Sequence, residues 1–165
     1  MATHEEYMKM ALAEAQQALA AGDFPVGCII ADESGPLARG RRINSRSGNE
    51  LDHAEIMALR RLHDDSSRKR RGELTIYSTM EPCLMCFSTL ILNNVHTIVY
   101  AYEDAMGGGT SLPLAGLSPL YASKKVVIVK DVLRRESLAL FKRFFREDTN
   151  GYWRDSLLAE YTLKQ

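Results

Sequence analysis

Four residues in this chain carry side chains suited to holding and using a metal ion: His53, Glu55, Cys83 and Cys86. They fall in two short segments, His53-Ala54-Glu55 and, well downstream, Pro82-Cys83-Leu84-Met85-Cys86. Cysteines at i and i+3 share one face of a helix. In a first turn both sulfurs can point off the helix end at one ion, where the helix dipole favours the thiolate that a metal requires. His53 opens another helix and adds a neutral nitrogen. Three protein ligands leave the fourth tetrahedral position of Zn2+ open to water, the pattern of a catalytic rather than a structural zinc. Zinc there makes hydroxide available near neutral pH, and Glu55 at the same helix start can carry protons for the hydrolysis.

Each segment alone has blander readings. A His-x-Glu at a helix start can be a solvated helix end, its carboxylate complementing the dipole. A Cys-x-x-Cys can be a redox pair or half of a structural zinc site. The redox reading gives no role to His53 and Glu55. The structural reading needs a fourth ligand, and Cys28, His4, His63 and His96 lack ligand spacing. Cys28 sits in Val26-Gly27-Cys28-Ile29-Ile30, where a buried strand cysteine is ordinary core.

The elements that must position these residues follow from periodicity. Thr3 with Glu6 forms a capping box, and Met8, Ala11, Leu12, Ala15, Ala18 and Leu19 fall at helical spacing up to Gly22. Residues 24–31 and 37–44 read as a hairpin around Asp32-Glu33-Ser34-Gly35. A helix is expected over 53–63, strands over 74–79 and 97–102, and a helix through Cys83 to Leu92 with Pro82 just ahead of it. A long loop from Gly107 to Ser123, a strand at 126–129, an amphipathic helix at 134–146 and a terminal helix at 152–161 complete the chain. Strands alternate with helices from the third strand on. The expectation is one α/β domain of 165 residues, a three-layer helix/sheet/helix arrangement.

Composition fits: 45% apolar and 25% charged residues, with Lys+Arg and Asp+Glu at 21 each. A balanced charge does not announce nucleic acid. The start, Met1-Ala2-Thr3-His4-Glu5-Glu6, lacks the pattern of a signal peptide, and no apolar run is long enough for a membrane span. Three cysteines argue against a disulfide framework. A cytoplasmic location is expected.

The constellation, with its proline, is the signature of zinc deaminases acting on nucleobases, and the chain resembles the cytidine deaminase superfamily. It is most similar to the branch of tRNA adenosine deaminase, fungal cytosine deaminase and bacterial guanine deaminase. The likeness runs through Phe24-Pro25-Val26-Gly27-Cys28, Gly40 to Asn44, His53-Ala54-Glu55, Met80 to Cys86, Val99-Tyr100 and the Glu136–Phe145 helix. It implies a central five-stranded mixed sheet, ammonia release from an amine-bearing ring carbon, and a homodimer. By the same likeness Asn44 binds the base, or else merely caps a turn, and the Ala54 backbone faces the ring.

The substrate is less legible. The glycine-rich stretch from Asp104 to Leu112 is similar to tRNA adenosine deaminases. A tRNA enzyme needs cations on phosphates, yet Phe87-Ser88-Thr89 and Asn93-Asn94 stand where that group tends to be basic. Phe87, replacing a small residue, is expected to narrow the pocket. The Arg68–Arg71 cluster reads either as an RNA contact or as solvated surface. Tyr152-Trp153-Arg154-Asp155 is similar to the tail that covers the site in fungal cytosine deaminases. Trp153 then stacks on the ring and Asp155 accepts from its amine; alternatively Trp153 anchors the tail to the core, or a one-residue slide makes Tyr152 the stacking group. The expected function is zinc-dependent hydrolytic deamination of a free nucleobase or nucleoside. The alternatives are tRNA adenosine deamination and, behind both, a non-catalytic zinc-binding module.

Overall fold

Alternation along the strands decides which helices cover which face of the sheet. The computed structural model describes residues 2–65, 71–147 and 151–165. Its sheet has the order β2-β1-β3-β4-β5. β1 (Gly27–Asp32) pairs antiparallel with β2 (Gly35–Arg41) and with β3 (Leu74–Met80), while β4 (Val95–Tyr102) and β5 (Val127–Val129) continue it in parallel. Successive strand side chains point to opposite faces. Ile29, Ala31, Tyr77, Val99 and Ala101 therefore pack with Met8, Ala11 and Leu12 of α1 (His4–Ala20). Cys28, Ile30, Ile76 and Ile98 pack with α2 (Ala54–Asp64) and α3 (Leu84–Leu92) on the other face. α5 (Arg134–Arg146) lies beside α1 and also sends Phe141 to Phe24, ring centroids 5.1 Å apart. The result is the expected three-layer α/β fold around a five-stranded mixed sheet.

The Thr3–Glu6 capping box forms as expected. The hairpin turn is the two residues Glu33-Ser34, closed by Gly35 at φ 118°, which favours glycine. Three differences matter for the site. β2 stops at Arg41 instead of Asn44, and Asn44 takes a left-handed φ of 58° that ends the extended run. The loop after Gly107 contains a short helix α4 (Pro119–Ala122), started by Pro119 at its first turn. The terminal helix α6 covers Leu157–Lys164 rather than 152–161. Trp153 at φ 55° cannot continue a right-handed helix, and Ser156 caps the new start by accepting from the Ala159 N–H. Residues 152–155 are thus turns. Arg68 to Arg70 lie outside the described residues, so the basic cluster enters no structural statement beyond Arg71. No helix among the described residues is long and apolar enough to cross a membrane.

Candidate active site

Gly40 sets how close α2 comes to the sheet. A Cβ there would sit 2.1 Å from the Ala54 carbonyl oxygen and 2.5 Å from the Ala58 nitrogen. Only glycine lets the first turn of α2 press on β2 in this way. That turn carries His53 as its N-cap, in extended backbone at ψ 152°, and Glu55 inside it. β3 leads through Met80 to Pro82 and to Cys83, the N-cap of α3, with Cys86 in the following turn. Two helix starts on the same face of the sheet are thereby brought together.

The His53 Nδ1 lies 3.6 Å from the Cys83 sulfur and 3.5 Å from the Cys86 sulfur. All three ligand atoms lie within 4.8 Å of one another. Tetrahedral zinc with Zn–N of about 2.05 Å and Zn–S of about 2.3 Å separates nitrogen from sulfur by roughly 3.6 Å. The observed spacing therefore fits zinc, as does the donor set of one imidazole and two sulfurs. On its far side the His53 Nε2 meets a Glu50 carboxylate oxygen at 3.2 Å. Such a partner settles which ring nitrogen is left to face a metal.

The electrostatics reflect crowding. The Cys83 thiol is pulled down to about 4, chiefly by the hydrogen bond from Cys86, against burial and with help from His53 and the Cys86 N–H. The Cys86 thiol is pushed up by the same sulfur neighbour, by burial and by Glu55. Burial opposes charge on His53, but Cys83, Glu55 and Glu50 together raise it to about 9. A divalent cation among two sulfurs and a carboxylate relieves this repulsion. Glu55 is buried, with Oε1 accepting from the Ser78 hydroxyl at 3.2 Å and Oε2 3.5 Å from the Cys86 sulfur. Burial first, and the Cys83 charge after it, raise the Glu55 carboxyl above its ordinary range, with His53 acting in the opposite direction. A carboxyl so placed exchanges a proton closer to neutral pH.

A cavity of about 470 Å³ opens over these groups, within the size range of small-molecule sites. Ala54 lines it, together with His53, Glu55 and Cys83. Three expected substrate contacts are elsewhere. Asn44 is exposed, and its Nδ2 donates to Asp52 at 2.8 Å, because the strand ended before it. Phe87 is buried in the core below α3 rather than in the cavity wall, since it follows Cys86 around the helix toward the sheet. Asp155 is exposed and faces a shallow surface with Arg154 and Ser156. Trp153 reaches the cavity rim but remains 43% exposed, while Tyr152 lies deeper, 5.3 Å from the Phe24 ring. The one-residue slide thus puts Tyr152 in the more enclosed place.

Among the described lining residues, Arg42 and Glu50 were given no role by the sequence reading. The signal for Arg42 was available: it follows the last residue of β2, and open α/β sheets place ligands beyond strand ends. Glu81, also lining, ties down the glycine-rich loop by accepting from the Asp104 and Thr110 backbone N–H groups at 3.2 and 3.3 Å. Asp104, beside it, is raised chiefly by burial, with the charges of Glu81 and Cys83 adding to the effect.

Comparison with known proteins agrees with this geometry. Residues 1–102 match the family described as "Cytidine and deoxycytidylate deaminase zinc-binding region". The tRNA-specific adenosine deaminase of Bacillus subtilis (strain 168) is 28% identical over 147 residues, 89% of this chain and 91% of that one. The tRNA-specific adenosine deaminase of Streptococcus pyogenes serotype M18 is 26% identical over 141 residues, 86% and 89% of the two chains. Among solved structures, a guanine deaminase from Nitrosomonas europaea superposes with TM-score 0.70 at 20% identity, covering 87% of this chain and 85% of that one. A structure from a study of A-to-I editing by tRNA:A34 deaminases gives TM-score 0.67 at 21% identity, covering 82% and 98%. With more than half its length matched and the His53, Cys83 and Cys86 donors assembled at zinc spacing, the chain belongs to the cytidine and deoxycytidylate deaminase zinc-binding family.

Proposed function

We propose that this enzyme hydrolyses the amino group from the ring of a free nucleobase or nucleoside, consuming water and releasing ammonia. His53, Cys83 and Cys86 hold the zinc, which when bound supplies the Lewis acidity that makes water a nucleophile near neutral pH. Glu55 accepts the proton of that water, passes it to a ring nitrogen and then to the departing amine. Ser78 fixes one oxygen of Glu55, leaving the other on the Cys86 side for proton transfer. The backbone at Ala54 faces the ring, and Tyr152 with Trp153 covers it.

The observation that carries the small-substrate reading is the charge of the cavity wall. Glu50, Glu55, Glu81 and Asp104 line it, and the single arginine there among the described residues, Arg42, lies 3.4 Å from Glu50. A polyphosphate backbone would meet carboxylates where it needs cations. A second reading, tRNA adenosine deamination, is favoured by the names of the curated relatives. Ammonia release from a panel of free bases and nucleosides, beside a tRNA anticodon stem-loop, tests both. Turnover of a free ring supports the first reading; turnover of the stem-loop alone, with steep loss on adding salt, replaces it with the second.

The same reading takes all 165 residues as one deaminase domain working in the cytoplasm, paired with a second copy. Leu84 and Leu92 of α3, both exposed, supply apolar surface for such pairing. Light scattering of the purified chain at twice the monomer mass supports that pairing, and the monomer mass contradicts it.

A further inference from the structure

The Glu55 carboxylate rests on two further buried groups. Ser78 of β3 and Cys28 of β1 stand directly opposite each other in the antiparallel pairing of these strands, and both are 0% exposed. The Ser78 hydroxyl donates to Glu55 Oε1 at 3.2 Å, and the Cys28 thiol donates to the Ser78 oxygen at 3.3 Å. Elementary chemistry fixes the direction of this relay. A hydroxyl has one proton to give, and an ionised carboxylate only accepts. Ser78 therefore spends its proton on Glu55 and offers a lone pair to the S–H. Burial first, and the Glu55 charge after it, push the Cys28 thiol up, so it keeps that proton. The catalytic steps described so far give Cys28 no part.

We infer that Cys28 and Ser78 are positioning residues for the proton step: the thiol holds the Ser78 hydroxyl on Glu55 Oε1 and so keeps the shuttled proton on Oε2. The inference rests on the deaminase reading and deepens it at Glu55. When Glu55 takes up a proton, its two oxygens are not equivalent. Oε1 is already filled by a donor, and Oε2 receives the proton on the Cys86 side, where the metal ligands are. A Ser78 hydroxyl free to turn would present a lone pair to the neutral carboxyl and hold the proton on Oε1, away from the ring. Turning requires Ser78 to give its proton to the Cys28 sulfur, a weak acceptor, and requires the S–H to leave the only partner given to it. The thiol thus biases the hydroxyl in both protonation states of Glu55.

The S–H stretch in the infrared tests the pair without turnover. Zinc takes its cysteine ligands as thiolates, so in the zinc-loaded protein Cys28 carries the remaining S–H of the three cysteines. Its band is expected below the frequency of a thiol with no acceptor, and Ser78→Ala should move it up. A wild-type band at the free-thiol frequency, or one unmoved in Ser78→Ala, overturns the inference; the wild-type frequency decides alone if the variant does not fold. Ammonia release, with zinc counted per chain, tests the consequence. Cys28→Ala should lose roughly three- to tenfold in kcat, the rate equivalent of about one hydrogen bond, at unchanged KM and zinc content. Cys28→Ser keeps a donor and should recover most of that loss, and Cys28→Ala should cost nothing further in a Ser78→Ala background. Equal losses in Cys28→Ala and Cys28→Ser, an effect confined to KM, or additive losses in the double variant overturn the inference. A wild type that releases ammonia from no member of the amino-ring panel sinks the deaminase reading, and the proton step with it, whatever the band shows. Turnover with a free-thiol band sinks this inference alone.

Discussion

The Nε2 of His53 lies 3.2 Å from a Glu50 carboxylate oxygen, while Nδ1 of the same ring lies 3.5 Å and 3.6 Å from the sulfurs of Cys86 and Cys83. One face of the imidazole is therefore held by a carboxylate and the other is offered to a metal. Glu50 also accepts from the Tyr152 hydroxyl, at 3.1 Å for the shorter of its two contacts. The tail, the loop before α2 and the metal ligand form one hydrogen-bonded unit.

Glu50→Ala is expected to weaken zinc binding by about 10–100-fold, the usual effect of removing a partner behind a metal-bound histidine. Competition against a chromophoric chelator measures it. Identical competition curves for variant and wild type would remove Glu50 from this role.

Gly40→Ala is expected to destabilise the fold by about 1–3 kcal/mol or more, because its Cβ would press on the backbone of α2 at Ala54. Urea unfolding of the two proteins gives the difference. Zinc affinity should fall with it, since His53 rides on the displaced turn. A stable variant with full zinc affinity would show that α2 does not depend on this close approach.

Tyr152→Ala is expected to raise KM for the substrate more than Trp153→Ala does. Loss of one aromatic stacking partner typically costs about 1–3 kcal/mol, and Tyr152 is the more enclosed of the two rings. Tyr152→Phe separates ring from hydroxyl. The opposite order of KM values would return the covering role to Trp153.

How far the site was legible in the sequence follows from where its information lies. His53, Cys83 and Cys86 were readable because a metal imposes residue types and helix-start spacings that chance seldom produces together. The sheet was readable because its strands are short apolar runs bounded by turn signals, as Val26 to Ala31 is before Asp32-Glu33-Ser34-Gly35. Arg42 was not, because an arginine in an arginine-rich run, Arg39-Gly40-Arg41-Arg42, gives no sign of which member turns inward. Asn44 falls outside β2 because the strand ends three residues earlier than its composition suggests. Tyr152 to Asp155 look helical, but the left-handed backbone at Trp153 depends on tertiary contacts that no local pattern encodes.

A pH prediction comes from Glu103, just beyond the end of β4. Burial would raise the Glu103 carboxyl, but the Arg134 guanidinium, with Nε at 2.7 Å, and the Tyr161 hydroxyl at 2.7 Å prevail and bring it to about 2. A pKa lowered by folding means that the ionised form stabilises the fold. The contribution is full above the ordinary value of 4.5 and is lost as pH falls toward 2. Urea midpoints of wild type and Glu103→Gln should differ at pH 7 and converge progressively below pH about 4.5. A constant gap across that range would contradict the assignment.

The central claim is that His53, Cys83 and Cys86 hold zinc while Glu55 moves the protons of a hydrolytic deamination. The most direct measurement is ammonia release from the amino-ring panel by wild type and Glu55→Gln, with bound zinc per chain counted on the same samples. The expected result is full zinc in both and a loss of rate in the variant of about 10²–10⁴-fold or more. A Glu55→Gln protein that keeps its zinc and still releases ammonia at the wild-type rate would contradict it.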